Sequence, residues 1–212
     1  MSHPYFPLKK GARWTYSTSQ RYGAPAGEPE GRTGASCALQ STVEVVAVRT
    51  EGSRAFAEIV TRWTGPAPSE SRQQWIVTRE GLLPSSGPMQ TSAGEVHVAS
   101  PSGIYLPSVL DVQLPWSYAL ELDTPLHRLR VSGSSRLVGF EAIAVPAGRF
   151  EAAHVRSRVR TEMEPKFDTV PAADQVQEED LYYVRGVGLV RATQAIASGY
   201  ASDKVLVSFL SG

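Results

Sequence analysis

The stretch STVEVVAVRTEGSRAFAEIVTRWTG, Ser41 to Gly65, holds two β-branched runs, Ser41 to Arg49 and Ala55 to Trp63, on either side of Thr50 to Ser53. Within each run the side chains alternate between two faces instead of recurring every three or four residues. The four residues between them are turn formers, so the stretch predicts an antiparallel hairpin.

The same reading extends outward. Gly (18) and Pro (15) are scattered along the chain and cut it into short segments of strand length, each ending in turn residues. GFEAIAVPAGRFEAAHV predicts a second hairpin turning at Pro146 to Gly148, and ATQAIASGYASDKVLVSF a closing one around Ser198 to Asp203. Only PSVLDVQL, bounded by Pro107 and Pro115, has room for two helical turns. Gln20 to Ser36 is rich in Gly, Pro and Glu, and predicts a mobile insertion. Pro84 to Gly94 and Glu164 to Gln175 read as shorter loops. The expectation is one all-β domain with minor α over residues 1–212. It would be a single curved antiparallel sheet or open half-barrel of ten to twelve strands, with one or two short helices at the open side.

At 212 residues such a domain can bury a core without staples. Basic and acidic residues balance at 21 each, which removes the global field that nucleic acid or an anionic bilayer would need. The basic residues are 17 Arg against 4 Lys, a bias that suits carboxylate and phosphate pairing but that a GC-rich genome also produces. The lone Cys37 has no partner for a bridge or a metal clip and reads as a small core or strand-start residue. The sequence from Met1 has no charged start, apolar run and cleavage site, and no apolar stretch is long enough for a transmembrane helix. As written, it predicts a cytoplasmic protein; a trimmed leader would move it to the periplasm or cell envelope.

One run carries a chemical question. FEAAHVRSRVRT, Phe150 to Thr161, places His154, Arg156, Arg158 and Arg160 on one strand face. If this strand pairs with QEEDLYYV over Glu164 to Gln175, Arg160 falls near Glu178, Arg158 near Asp180, Arg156 near Tyr182 and His154 near Val184. That register makes the row partly compensated across strands and solvated. That solvated reading comes first; the alternatives are that the same row, joined by Arg128 and Arg130 of HRLRVS, forms an anion site for phosphate, sulfate or a lipid head group, or a protein-docking face.

Other chemistry is thin. The four histidines have no second ligand at a metal-binding interval, and no nucleophile elbow or phosphate loop occurs. No cofactor is predicted. Gly186 and Gly188 in RGVGLVR lack a following helix and suggest a bulge or corner. Acid pairs at Glu162/Glu164 and Glu178/Asp180 leave hydrolase or isomerase chemistry open. Trp14, Trp63, Trp75 and Trp116 all fall in predicted strands, as core or as the lining of an apolar pocket. A faint internal echo sets Trp14/Tyr16 beside Trp116/Tyr118, each a Trp-x-Tyr after a Pro-Leu or Leu-Pro pair.

Three runs, YFPLKKGARWTY, VGFEAIAVPAGRFEAAHVR and LYYVRGVGLVR, resemble the signatures of a bacterial family of β-rich proteins, many of them envelope lipoproteins. Where that family usually has Trp-Tyr and then Ala-Pro before the glycine, this chain has Tyr182, Tyr183, Val184 and Arg185. The resemblance implies a fold similar to the half-barrel of periplasmic lipoprotein carriers and a lipid or other apolar ligand on its concave face. On these grounds the sequence leans away from an enzyme and towards a binding or scaffold protein. Trp14, Tyr16, Trp63, Trp75 and Trp116 would line its ligand, and Arg128, Arg130, His154, Arg156, Arg158 and Arg160 would hold any anion. A protein-interaction module without a small-molecule ligand is the alternative.

Overall fold

The computed structural model describes residues 3–22, 36–65, 67–91, 94–167, 173–197 and 199–212. The hairpin of the opening stretch is formed by β2 (Ser36–Glu51) and β3 (Arg54–Thr64), in register from Gln40↔Thr64 to Glu51↔Arg54. Gly52 sits in its turn at φ 58°, a conformation glycine adopts without strain. β1 (Arg13–Tyr22) lies on the other side of β2, and β4 (Ser69–Val77) continues from β3.

The remaining strands are β5 (Gly81–Pro84), β6 (Gly87–Thr91), β7 (Gly94–Gly103), β8 (Leu106–Pro107), β9 (Trp116–Asp123), β10 (His127–Val145), β11 (Gly148–Pro165), β12 (Ala173–Val184), β13 (Gly188–Ile196) and β14 (Tyr200–Leu210). All pairings are antiparallel, and the order β3-β2-β1-β14-β13-β12-β11-β10-β9-β7-β6-β4 returns to β3 through the β3–β4 ladder. Twelve strands therefore close a barrel, with β5 and β8 appended to β4 outside the ring. The expected open half-barrel is corrected by this closure. Its seam is narrow: β4 and β6 meet at the single pair Arg72↔Gln90, because β5 takes the rest of that edge at Trp75 to Val77.

Three further expectations change. The described residues contain no helix; residues 108–115 form an irregular loop that exposes Val109, Val112 and Leu114. Two prolines leave too little length for helix nucleation there. Part of the expected Pro84 to Gly94 loop is β6. β1 and β11 run into the other two expected loops and β2 and β12 begin inside them, while the centres of both, 23–35 and 168–172, lie outside the described residues.

A barrel of about eight strands is filled by its own side chains, and wider ones leave interior space. Here one end is filled by the segment before β1. Tyr5, Leu8 and Ala12 are buried, and Phe6 stacks on Trp14 at 5.4 Å. His3 fixes this segment: its Nδ1 accepts from the Tyr5 amide at 3.2 Å and its Nε2 donates to the Leu106 carbonyl at 3.0 Å. Burial lowers the His3 pKa, which suits that neutral tautomer. Leu82 of β5 and Leu106 of β8 are fully buried in the same core.

Candidate functional site

Alternation along each strand sorts the predicted aromatic residues. Trp14 is 1% exposed, and its indole N–H donates to the Val187 carbonyl at 2.5 Å, so its polar and apolar parts are both occupied by the protein. Two residues further along β1, Tyr16 faces the interior, its hydroxyl donating to the Leu189 carbonyl at 3.0 Å. Trp75 of β4 stands against Tyr105, with ring centroids 4.8 Å apart. Trp116 of β9 is half-buried and donates to the Tyr105 carbonyl at 3.0 Å. Trp63 shares the inward parity of Ile59 and Thr61 but lies beyond them towards the rim, half-exposed.

Two interior cavities meet at the Trp75–Tyr105 pair. One, of about 180 Å³, lies towards β1 and β14 and is lined by Phe6, Tyr16, Ile59, Tyr183 and Lys204, among others. The second, of about 200 Å³, lies along the β4/β6 seam against Met89, Val98, Leu120, Leu122 and Val131. Gln73, Trp75 and Tyr105 belong to both walls. On the second side Tyr118 lies over Gly133, where an added Cβ would come within 2.1 Å of the phenol ring. The glycine therefore makes room for an aromatic wall.

The polar groups of the interior went unread in the sequence. Lys204 projects from β14 with its ammonium 4.2 Å from the Tyr16 ring centroid, and burial pushes its pKa down from 10.5 to about 8. Burial raises Glu179, which Gln177 hydrogen-bonds, and it raises the Tyr16 and Tyr183 hydroxyls too. Glu179 lines a narrow recess beside Trp116 and Leu181 that adjoins the first cavity at Tyr105, Leu106 and Tyr183. Sequence alone places Glu179 in the QEED run and Lys204 in the closing hairpin segment and assigns neither a role. The only signal for their inward aim is parity: Glu179 shares a face with Leu181 and Tyr183, and Lys204 with Leu206.

The cationic row lies on the outer face. β10 and β11 are neighbours, so Arg128 and Arg130 do join His154, Arg156, Arg158 and Arg160 on one surface. The β11–β12 register differs by two residues from the expected one: Arg160 faces Val176, Arg158 faces Glu178, Arg156 faces Asp180 and His154 faces Tyr182. A two-residue slip keeps every side chain on its own face, which is why parity alone could not fix it.

Most of the row is compensated. His154 places its Nδ1 2.9 Å from Glu141 and its Nε2 2.6 Å from Asp180, and Arg156 reaches Asp180 at 3.1 Å. Arg160 reaches Asp174 and Glu162, and Arg130 reaches Glu121. Arg128 faces Asp123 and Glu164 in register. Arg158 has no ion pair among the described residues. It lines an open outer groove of about 730 Å³ together with Arg160 and the serines at 102, 117, 132 and 134. Burial works to raise Asp180, but the hydrogen bonds from His154 and Arg156 outweigh it and lower the pKa. An acid–base role for Glu178/Asp180 thus meets an ionised, tethered partner instead of a poised acid. Glu162 and Glu164 lie within ion-pair distance of Arg160 and Arg130. Cys37 is at the start of β2 as expected, but exposed, with its thiol 3.2 Å from the Gln20 side chain.

Neither a family model nor a curated protein matches the sequence. Solved structures do. One is a "putative lipoprotein" from Parabacteroides distasonis ATCC 8503, 16% identical, with a TM-score of 0.63 over 99% of this chain and 100% of that one. Another is a "putative exported protein with YmcC-like fold" from Bacteroides fragilis NCTC 9343, 13% identical, with a TM-score of 0.56 over 97% and 98%. At these identities, what this chain has in common with them is the all-β fold along essentially its whole length.

Proposed function

We propose that this protein is a non-enzymatic binding protein that encloses an apolar or amphipathic small molecule inside its barrel, in the cell envelope. The observation that carries the reading is the pair of cavities meeting at Trp75 and Tyr105. Together they fall in the lower part of the size range of small-molecule sites, and they have the mixture such sites use: mostly apolar walls with a few polar groups. The narrow β4/β6 seam beside the second cavity is the natural way in, since one residue pair resists opening less than a full ladder does. The envelope location draws on the words "lipoprotein" and "exported" attached to two proteins of similar fold. The outer face of β10 to β12 carries Arg156, Arg158, Arg160 and Glu178, opposite in character to the apolar band of a membrane-spanning barrel.

The test is native mass spectrometry of the protein purified from its own cells, followed by denaturation and solvent extraction. A stoichiometric apolar molecule is the expected result. A bare mass that persists after lipids are offered would remove the ligand. The second reading, protein docking, would then rest on the exposed Val109, Val112 and Leu114 of the 108–115 loop.

A further inference from the structure

Granted a small molecule enclosed in the barrel, on which this inference rests, the cavity wall also selects the chemistry of its head. Lys204 is the one basic side chain in the wall of the cavity of about 180 Å³. Its ammonium carries three N–H donors, yet it has neither a carboxylate nor a hydrogen-bond acceptor among the described residues; it stands instead against the Tyr16 ring face. No side-chain nitrogen or oxygen sealed from solvent lacks a partner among the described residues, so the Lys204 ammonium keeps solvent-accessible surface, and Lys204 lines the cavity. A ring face attracts a cation without using up its donors, so the group stays available. The nearby hydroxyl of Tyr16 is committed to Leu189 and does not compete. The interior acid, Glu179, lines an adjoining recess that shares Tyr105, Leu106 and Tyr183 with this cavity, and it forms no ion pair with Lys204 among the described residues.

From this geometry we infer that the barrel takes an anionic amphiphile, its carboxylate or other acidic head on Lys204 and its tail passing Trp75 and Tyr105 into the seam cavity. The two ends of the site match the two ends of such a molecule. The Lys204 end offers unused donors over an aromatic floor, whereas the seam end is walled by Met89, Leu120, Leu122 and Val131. A neutral apolar ligand would displace water from the ammonium without replacing its hydrogen bonds, which is the costly arrangement. A cationic amphiphile would meet a like charge.

The probes are decanoate, 1-decanol and decyltrimethylammonium, titrated against the full chain while Trp fluorescence is followed. Decanoate should bind at one equivalent, about tenfold or more tighter than decanol, as a charge-assisted hydrogen bond implies, and the cation should bind weakest. Lys204→Met should remove that preference and leave decanol binding within about twofold, whereas Lys204→Arg should keep it. Arg158→Ala, on the outer face, should change nothing, and circular dichroism checks that each variant is folded. Equal binding of decanoate and decanol by the wild type would overturn the acidic-head assignment and leave the carrier reading standing. Loss of decanoate binding in Arg158→Ala but not in Lys204→Met would also overturn it, moving the anion to the outer groove. Binding of none of the three would count against the enclosed ligand itself, and the inference would fall with it.

Discussion

Two strands on different sides of the barrel, β1 and β9, carry the same Trp-x-Tyr element and use it differently. In both, the indole donates to a main-chain carbonyl, Trp14 to Val187 and Trp116 to Tyr105. Trp14 is sealed, with Phe6 stacked on it and Gly188 so close that an added Cβ would stand 3.2 Å from the indole nitrogen. Trp116 stays half-buried, and its companion Tyr118 bounds both the seam cavity and the outer groove. The difference lies in what covers each strand. β1 has the chain's own residues 3–12 beneath it, whereas β9 has only the short 104–107 segment, through Tyr105 against Trp116 and Tyr118. The same local motif becomes a core anchor where the chain supplies a long plug and a cavity wall where it supplies only a short cover.

The sharpest way to break that comparison is to truncate both tryptophans. Trp14→Ala should cost roughly 3–5 kcal/mol, the range for a large buried aromatic. Trp116→Ala, half-exposed, should cost nearer to about 1–2 kcal/mol. Urea denaturation followed by circular dichroism measures both, and equal losses would show that β9 is as much core as β1.

Next in size is Gly133→Val. Its side chain would occupy the space of the Tyr118 ring, at a cost of about 1–3 kcal/mol for overpacking. The ring must swing away, so the near-ultraviolet aromatic signal should change along with the melting temperature. An unchanged aromatic spectrum would mean that the strand, not the ring, moves.

Lys204 gives a pH-dependent contrast between interior and surface. Between about pH 8 and 10 the folded chain has released a proton that the unfolded chain, with an ordinary lysine, still holds. Unfolded chains then bind more protons, so stability should rise with pH across that window, by at most about 1.4 kcal/mol per pH unit. Above about pH 10 the sign reverses, because burial holds the Tyr16 and Tyr183 protons on the folded chain beyond the point at which an unfolded chain loses them. Lys204→Met should flatten the rise. A flat wild-type profile would show a solvated ammonium and weaken its role as a ligand head site.

Each feature was legible in the sequence to the extent that it leaves a local physical signal. Period-two alternation revealed the β2/β3 hairpin and the β10/β11 hairpin, because one buried face enforces it. Closure leaves no such mark: the Arg72↔Gln90 pair that completes the ring joins two residues with nothing local to connect them. The aromatic cavity-lining residues Tyr16 and Trp75 were legible as large apolar groups in strands, but Tyr105, just before β8, and Tyr118, over its glycine, depend on packing from distant strands. Lys204 was the hardest, since a lysine in a hairpin is ordinarily solvated and only the closed barrel turns its parity into burial.

The smallest expected effect separates the two outer faces. On β1 to β4 the charges form a continuous chain in which Glu44 accepts from both Arg13 and Arg62, and Glu70 from both Arg62 and Arg72. The hydrogen bonds from Arg13 and then Arg62 lower the Glu44 pKa, so what this chain adds to stability is lost as pH falls through the carboxylate range. On β11, Arg158 stands without an ion pair among the described residues, between neighbours that have taken Asp174 and Asp180. Arg158→Ala should therefore change stability by less than about 1 kcal/mol, and its small effect should not depend on pH between about 3 and 6, whereas that of Arg62→Ala should shrink as the acids protonate. If Arg158→Ala instead raises the melting temperature, the row is a site of uncompensated like charge, with Arg136 and Arg156 directly opposed across β10 and β11. Such a surface would be held ready for an anion at the expense of stability, and the outer groove would then be the next place to look for a ligand.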